Sequence, residues 1–334
     1  MTTTTPKTMR VLEVRDLAPG FSGCALTERD MPKPGDGEAL VEIRAAALGF
    51  PDLLMTEGKY QHKPDLPFVP GSECAGIVVS TGGDVTDIAP GDEVVVMCGT
   101  GGFAEYGVFP VSALRRKPAP FDFGQAAAFS AAYLTAYVSL VRRAHLQPGE
   151  WVLVHGAAGG VGLAAVDLAK ALGGRVIAAS GSDEKLAAIE RNYAPDACLN
   201  ISEGFRERVK QITGGGADII YDPVGGDIFD ESTRCIAFDG RLLVVGFTSG
   251  RIATVPTNIP LIKGFSVVGV RAGEYGRRFP ERGQENFAAI WALAEAGRLT
   301  PHVHASLSLD RWRDAFEEMR NRRVVGRVVI APHD

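Results

Sequence analysis

The chain has 334 residues, 46% of them hydrophobic and 22% charged, and carries a net charge of −5. That length can fill two domain cores, and the composition is that of a folded globular protein, which excludes extended disorder. The acidic balance speaks against a nucleic-acid surface, which needs a basic excess, so no nucleic-acid partner is expected.

Taken in chain order, the start MTTTTPKTMR has no apolar stretch of the kind a secretory signal carries, and its Thr-rich tip reads as frayed. Residues 9–110 then alternate between Val-rich segments (MRVLEVRD, EALVEIRAAAL, AGIVVSTG, DEVVVMCG and AEYGVFP) and corners at Pro34-Gly35, Pro70-Gly71, Gly82-Gly83, Pro90-Gly91 and Gly101-Gly102. This pattern predicts a β domain with few helices, a partly closed barrel. From Gly124 to Val141 it predicts a helix; its uncharged run from Ala126 is shorter than the ~20 residues of a membrane span, so no membrane partner is expected and the location is read as cytoplasmic. The five cysteines are scattered, with no C-x-x-C pair, and read as reduced thiols.

The stretch Glu150 to Leu172, EWVLVHGAAGGVGLAAVDLAKAL, reads as strand, tight turn and helix. Within its turn, Gly156, Gly159, Gly160 and Gly162, with Ala157 and Val161 between them, leave the backbone open to a pyrophosphate at a helix start. Strands WVLVH, RVIAAS, ACLNI, DIIYDP, GRLLVVG and SVVGV follow one another with helical stretches between, as a doubly wound parallel sheet requires. Beyond Val270 come two amphipathic helices, ENFAAIWALAEAG and DRWRDAFEEMRNRR, and a closing strand, VVGRVVI. The economical reading returns this segment to the first domain. Residues 1–129 and 272–334 then form a discontinuous β domain, residues 130–271 the dinucleotide-binding domain, with a substrate cleft expected between them.

Over nearly its whole length the chain resembles the medium-chain dehydrogenase/reductases. The resemblance rests on the β domain, A-x-x-G-G-V-G, the later Asp222-Pro-Val-Gly-Gly226 and the terminal G-R-V-V-I. ALGFPDLLMTEGKYQHKPDLPFVPGSECAGIV is similar to the zinc-free quinone oxidoreductase (zeta-crystallin-like) branch. The implied fold is α/β: a GroES-like β-barrel domain plus a doubly wound six-stranded Rossmann domain. Zinc-dependent members place a Cys and a His where this chain has Gly49 and Ser72, neither of which supplies a thiolate or imidazole, so no metal is expected. His302-x-His304 reads as an exposed strand pair. Without a Lewis acid the acceptor must be electrophilic in itself, and quinones and α,β-unsaturated carbonyls fit.

The second strand ends in Ala179-Ser180-Gly181-Ser182, with no carboxylate to accept from a ribose 2′-hydroxyl. This small polar tip leaves room for a 2′-phosphate, and Lys185 can pair with it, which favours NADPH. The resemblance gives Gly181 and Lys185 that role and adds a Tyr where this chain has Ile201. Ser182 to Lys185 reads equally as a capped helix start, and the two readings are compatible.

By resemblance, Tyr60 in Gly58-Lys59-Tyr60 lines the nicotinamide pocket and stacks on or protonates the acceptor; the plain alternative is a packing aromatic beside Pro64. Asp52 is similar to the family's Asp near the nicotinamide, or is a loop cap. Gly49 stands where the quinone branch commonly has Asn. Thr135, Phe247 and Thr248 match family positions near the cofactor, and Val270 and Ala272 follow the sixth strand. That strand, Ser266 to Val270, can instead pair with its copy in a homodimer. The alternatives to a quinone or enone reductase are an enoyl-thioester reductase, with Arg277, Arg278 and Arg282 as its basic groove, and a non-catalytic, RNA-binding crystallin-like protein.

Overall fold

The computed structural model describes residues 6–334 as two units, the first ending at Ala131 and resuming at Pro301, the second running from Ala132 to Thr300. Residues 1–5, the Thr-rich tip and the expected start of the first domain, lie outside the described residues.

The first unit contains β1 (Thr8–Val14), β2 (Cys24–Asp30), β3 (Glu38–Leu48), α1 (Phe50–Thr56), β4 (Glu73–Thr81), β5 (Glu93–Met97), β6 (Tyr106–Pro110), β7 (Leu114–Arg116) and α2 (Phe123–Ala127). Strands β1 and β2 form a two-stranded sheet, joined to the rest of the unit by bridges from Val11 to Ala104 and from Val14 to Phe68. Three of these elements escape a reading by alternation: CALTERD of β2, whose residues are mostly half-buried, the three-residue β7, and α1, whose FPDLLMT is too short for a helical period to show. Gly76 is required here, because a Cβ on it would lie 2.0 Å from the Glu42 carbonyl oxygen across the β3–β4 pair.

The second unit opens in α3 (Ser130–Tyr137), which runs into a π-helical turn at Val138–Arg143. The helix expected from Gly124 to Val141 is thus broken at Ala128-Phe129. The unit continues through β8 (Trp151–Val154), α4 (Gly160–Ala171), β9 (Arg175–Ser180), α5 (Asp183–Tyr193), β10 (Ala197–Asn200), α6 (Arg206–Thr213), β11 (Ala217–Asp222), α7 (Gly226–Ser232), β12 (Ile236–Val244), α8 (Asn258–Lys263), β13 (Ser266–Gly269), α9 (Ala272–Arg278) and α10 (Pro280–Glu295). Its six strands are all parallel, in the order β10-β9-β8-β11-β12-β13. Counted within the unit, that is the 3-2-1-4-5-6 order of a doubly wound dinucleotide fold. The central strand β8 is buried throughout, as a strand covered on both faces must be, whereas the edge strand β13 is largely exposed.

After Pro301 the chain adds β14 (Val303–Ser308), α11 (Trp312–Arg320) and β15 (Arg327–Ala331) to the first unit. Antiparallel pairing of Val328 with Leu48 and of Ile330 with Ala46 inserts β15 beside β3, completing a seven-stranded sheet with the path β14-β15-β3-β4-β5-β7 and β6 on β3. Phe316 of α11 packs edge-on against Phe21 and Phe103 in the core below.

The return to the first unit therefore falls at residue 301 and not at 272, which corrects the expected boundary. Residues 272–300 stay with the second unit because polar ties hold them there. Arg142 Nε donates to Asn286 Oδ1 at 2.7 Å and its guanidinium pairs with Glu285 at 2.6 Å. Asp167 Oδ2 accepts from Thr300 N–H at 2.7 Å and from Tyr133 Oη at 2.5 Å. An amphipathic period shows that a helix has a face to bury, but not which core buries it.

Candidate cofactor and active-site residues

In the second unit the strand order reverses between β8 and β11, and ligands of such sheets bind beyond the carboxyl ends of the strands at that reversal. Here β8 leads into His155-Gly156 and β11 into Pro223-Val224. Gly156 has φ +56°, and a Cβ on it would stand 3.3 Å from Val224 Cγ2 and 3.4 Å from Pro223 Cγ. Gly159, exposed and extended, caps α4, and the helix runs through Gly160, Val161 and Gly162. Gly162 is the most constrained: its Cβ would come within 2.2 Å of the Gly156 carbonyl oxygen. Ala157 is buried, its N–H donating to Ala179 O. The result is a glycine-lined helix start whose first N–H groups have no partner within the helix, a cradle that fits a dinucleotide pyrophosphate.

His155 is fully buried, with Nε2 2.9 Å from Ser232 Oγ and Nδ1 unpartnered; burial lowers its pKa to about 3, so the ring is neutral. Asp222 shapes the neighbouring loop, its Oδ1 accepting from Val224 N–H at 2.8 Å and Gly225 N–H at 2.9 Å. Burial raises its pKa against those two bonds. Gly225 lets the next loop pass close, since a Cβ there would be 3.0 Å from Phe247 Cδ1 and 3.2 Å from Arg251 O. Thr248 N–H donates to Pro223 O at 3.1 Å, and Phe247 is 44% exposed. The expected residues Phe247 and Thr248 are thereby tied to the loop after β11.

At the tip of β9, Ser180 is buried and Gly181 exposed, with no protein atom within 4 Å of a Cβ placed on Gly181. Ser182 Oγ accepts from Lys185 N–H at 3.3 Å and caps α5, so the capping reading holds. Ile201 N–H donates to Ser180 O at 3.1 Å, which puts the residue found in place of the family Tyr beside this tip. Thr135 lies half-buried in α3, Val270 follows β13 with its N–H on Val244 O, and Ala272 opens α9.

The first unit holds the other group of expected residues. Asp52, in the first turn of α1, is fully buried. Its Oδ2 accepts from Gly49 N–H at 2.7 Å, and its Oδ1 from Ser72 Oγ at 2.7 Å and Gly71 N–H at 3.2 Å. Burial raises the carboxyl's pKa, opposed by these three bonds and by the charge of Arg327. The loop-cap reading is the one these bonds describe: Asp52 staples the turn at 49–52 to the segment at 71–72, with no exposed atom left to meet a substrate. A Cβ on Gly49 would be 3.1 Å from Asp52 Oδ2 and 3.5 Å from Arg327 Nη1, so a side chain there is crowded by the staple itself.

Sequence reasoning missed the partner of this staple. Arg327, first residue of β15, is only partly exposed, its side chain at 11%, and pairs with buried Glu73, whose Oε2 also accepts from Ala131 N–H at 3.0 Å. Burial lowers the guanidinium's pKa and the charge of Asp52 raises it. The G-R-V-V-I signal was visible in the sequence, but nothing there links Arg327 to residues 52 and 73. Tyr60 stands in the bend after α1, half-buried against the first unit's core. Among the described residues no three His, Cys, Asp or Glu side chains are grouped as a metal ion would need, and no helix is long and apolar enough to cross a membrane.

Comparison with known proteins agrees with these features. Residues 35–119 match the family described as "Alcohol dehydrogenase GroES-like domain" and residues 160–293 the one described as "Zinc-binding dehydrogenase". The chain is 40% identical over 299 residues to "Quinone oxidoreductase-like protein 2 homolog" of Nematostella vectensis, covering 89% of this chain and 82% of that one. A probable oxidoreductase from Mycobacterium abscessus is similar in structure, with a TM-score of 0.88 and 35% identity over 98% of this chain and 100% of that one. A mycobacterial protein solved in complex with NADPH follows at a TM-score of 0.83 and 31% identity, covering 97% and 100% of the two chains. The chain belongs to the medium-chain dehydrogenase/reductase superfamily, in its zinc-free, zeta-crystallin-like quinone oxidoreductase branch. It is an NAD(P)(H)-binding oxidoreductase with a GroES-like and a Rossmann domain.

Proposed function

We propose that the protein is an NADPH-dependent, zinc-independent reductase of quinones or reactive α,β-unsaturated carbonyls. The observation that carries this reading is the donor set at the two positions where zinc-dependent relatives place ligands. Gly49 has no side chain, and the Ser72 hydroxyl is committed to Asp52 at 2.7 Å. An acceptor reduced here must carry the incoming charge through its own conjugation, as quinones and enones do. The bound nicotinamide supplies the hydride.

The remaining roles belong to the chain. The N–H groups at Gly160 to Gly162 hold the pyrophosphate, and Lys185 beside the carboxylate-free tip at Ser180-Gly181 meets the 2′-phosphate. Tyr60 stacks on the planar acceptor or donates a proton to its carbonyl oxygen, while Asp52 acts as a positioning residue by stapling residues 49–52 to 71–72. The name of the Nematostella relative and the NADPH in the mycobacterial complex support acceptor and cofactor respectively. An enoyl-thioester reductase is less well supported, because the arginines that would grip a nucleotide tail are engaged. Arg277 and Arg278 both bond Glu274, and Arg282 donates to Tyr275 Oη. No specific observation favours a non-catalytic RNA-binding role.

A homodimer through Ser266 to Val270 belongs to the same proposal. Strand β13 ends the six-stranded sheet, and Phe238, Leu261 and Ile262 are 83%, 81% and 73% exposed, with Val267 of β13 at 38%. A second copy of this edge, paired strand to strand, covers both the open backbone groups and these side chains.

The test is oxidation of NADPH and of NADH against a benzoquinone, a naphthoquinone, an enone aldehyde and crotonyl-CoA, with Tyr60→Phe alongside. The expected outcome is turnover on quinone or enone, at least about tenfold better with NADPH, insensitive to chelator and reduced about 10- to 100-fold in Tyr60→Phe. Turnover confined to crotonyl-CoA moves the assignment to a thioester reductase, and cofactor binding without turnover on any acceptor refutes the enzymatic reading.

A further inference from the structure

Two of the five cysteines are brought together by the sheet of the first unit. Cys74 lies on β4 opposite Val96 of β5, and Cys98 continues that ladder one step past the end of β5, its N–H donating to Ser72 O at 3.0 Å. Side chains alternate along a strand, so Cys98, two residues beyond Val96, projects from the same face as Cys74. The neighbour acting most strongly on the Cys74 thiol is the Cys98 thiol, by hydrogen bonding, and together with burial it holds Cys74 well above its ordinary pKa.

The two thiols differ in access. Cys74 is fully buried, whereas Cys98 is half-exposed and lines an open cavity of about 380 Å³ with Thr100, Gly101, Tyr106 and Phe109. Cys98 Sγ also donates to Gly71 O at 3.3 Å, and the N–H of that same Gly71 donates to Asp52 Oδ1 at 3.2 Å. An oxidant entering from solvent meets Cys98 first. The buried Cys74 can then be oxidised only through the sulfur beside it.

We propose that Cys74 and Cys98 form a reversible dithiol–disulfide couple, oxidised through the cavity by a small hydroperoxide. The Cys98 thiolate attacks the O–O bond, leaving a sulfenic acid on Cys98 and releasing water from hydrogen peroxide, or an alcohol from an organic hydroperoxide. Cys74 Sγ then attacks Cys98 Sγ; the S–S bond forms, the S–O bond breaks, and the departing hydroxide leaves as water with the Cys74 proton. Two electrons pass from the sulfurs to the peroxide, and a dithiol reductant reverses the change. Diagonal neighbours on paired strands stand about 7–8 Å apart at Cα, slightly beyond the usual disulfide span, so closure needs a shift on the order of 1 Å. The position of Cys98 past the last residue of β5, followed by Gly99 at φ +76°, permits that shift. Oxidation removes the thiol proton that Cys98 donates to Gly71 O, and so loosens the segment that holds Asp52.

The experiment treats the full chain with a few equivalents of hydrogen peroxide, quenches in acid, alkylates under denaturing conditions and reads intact mass and a non-reducing digest. The expected result is the loss of two of the five alkylatable thiols, the mass of two hydrogens gone, a peptide pair linking Cys74 to Cys98, and full reversal by dithiothreitol. In Cys74→Ser, Cys98 stops at the sulfenic acid and is trapped by dimedone; in Cys98→Ser, oxidation of Cys74 slows at least about tenfold. The proposal is overturned if all five thiols remain alkylatable, if Cys98 accumulates as sulfenic or sulfinic acid in the unmodified chain without the linked peptide, or if the disulfide joins other cysteines. Each of these three results is read on the unmodified chain and does not depend on the variants folding.

Discussion

The glycine turn of the second unit and the Asp52 loop of the first use different parts of the chain. In the turn the backbone is the instrument: Gly162 comes so close to the Gly156 carbonyl that a Cβ would stand 2.2 Å from its oxygen, and the helix N–H groups are left to face a ligand. In the loop the side chains act. Asp52, Ser72, Glu73 and Arg327 converge from α1, the start of β4 and the start of β15, and each satisfies a group that burial would otherwise penalise. A site made by local backbone closes over seven residues, while one made by a buried charge network needs segments more than 250 residues apart, as the pairing of Glu73 with Arg327 illustrates.

That contrast can be broken at either end. The largest effect is expected from Arg327→Met, which leaves buried Glu73 without its cation and takes a neighbouring positive charge from Asp52. A loss of about 3–5 kcal/mol is expected in urea unfolding, because breaking one side of a buried pair strands the other. Gly162→Ala comes next. Its Cβ must displace backbone, so we expect about 3 kcal/mol of destabilisation and at least a tenfold weaker NADPH titration.

Ser72→Ala removes one of the three donors to Asp52 and should cost about 1–2 kcal/mol in the same unfolding assay, while cofactor binding stays unchanged. The smallest effect belongs to Gly181→Ala, which meets no protein atom and whose φ is not positive, so stability should hold within about 0.5 kcal/mol. If Gly181→Ala melted like Gly162→Ala, the distinction between a glycine required by the fold and one standing in open space would fail.

The two regions also differed in how far they could be read beforehand. The glycines at 156, 159, 160 and 162 declared their purpose because a strand before them and a helix after them follow in the next few residues, and local geometry leaves few other uses for that spacing. The six parallel strands were legible for a similar reason: continuous apolar runs at regular intervals have few other folds available. Asp52 was visible as a residue, but its two readings, catalytic carboxylate and loop cap, separate only once Gly49, Gly71 and Ser72 are seen donating to it. The helix at Pro280–Glu295 had a clear apolar face, yet its assignment to the second unit rests on Asn286 and Glu285 meeting Arg142, a contact that periodicity does not encode.

The sequence by itself determined the family, the dinucleotide turn, the strand succession and the absence of thiolate and imidazole at positions 49 and 72, because each depends on residue types within one short stretch. Only the tertiary structure decided where the chain returns to the first unit, that Arg327 and Glu73 lie together behind Asp52, and that Cys74 and Cys98 share a face of the sheet. These depend on which distant segments pack side by side, and packing is settled by the summed burial of whole elements, which no local pattern records.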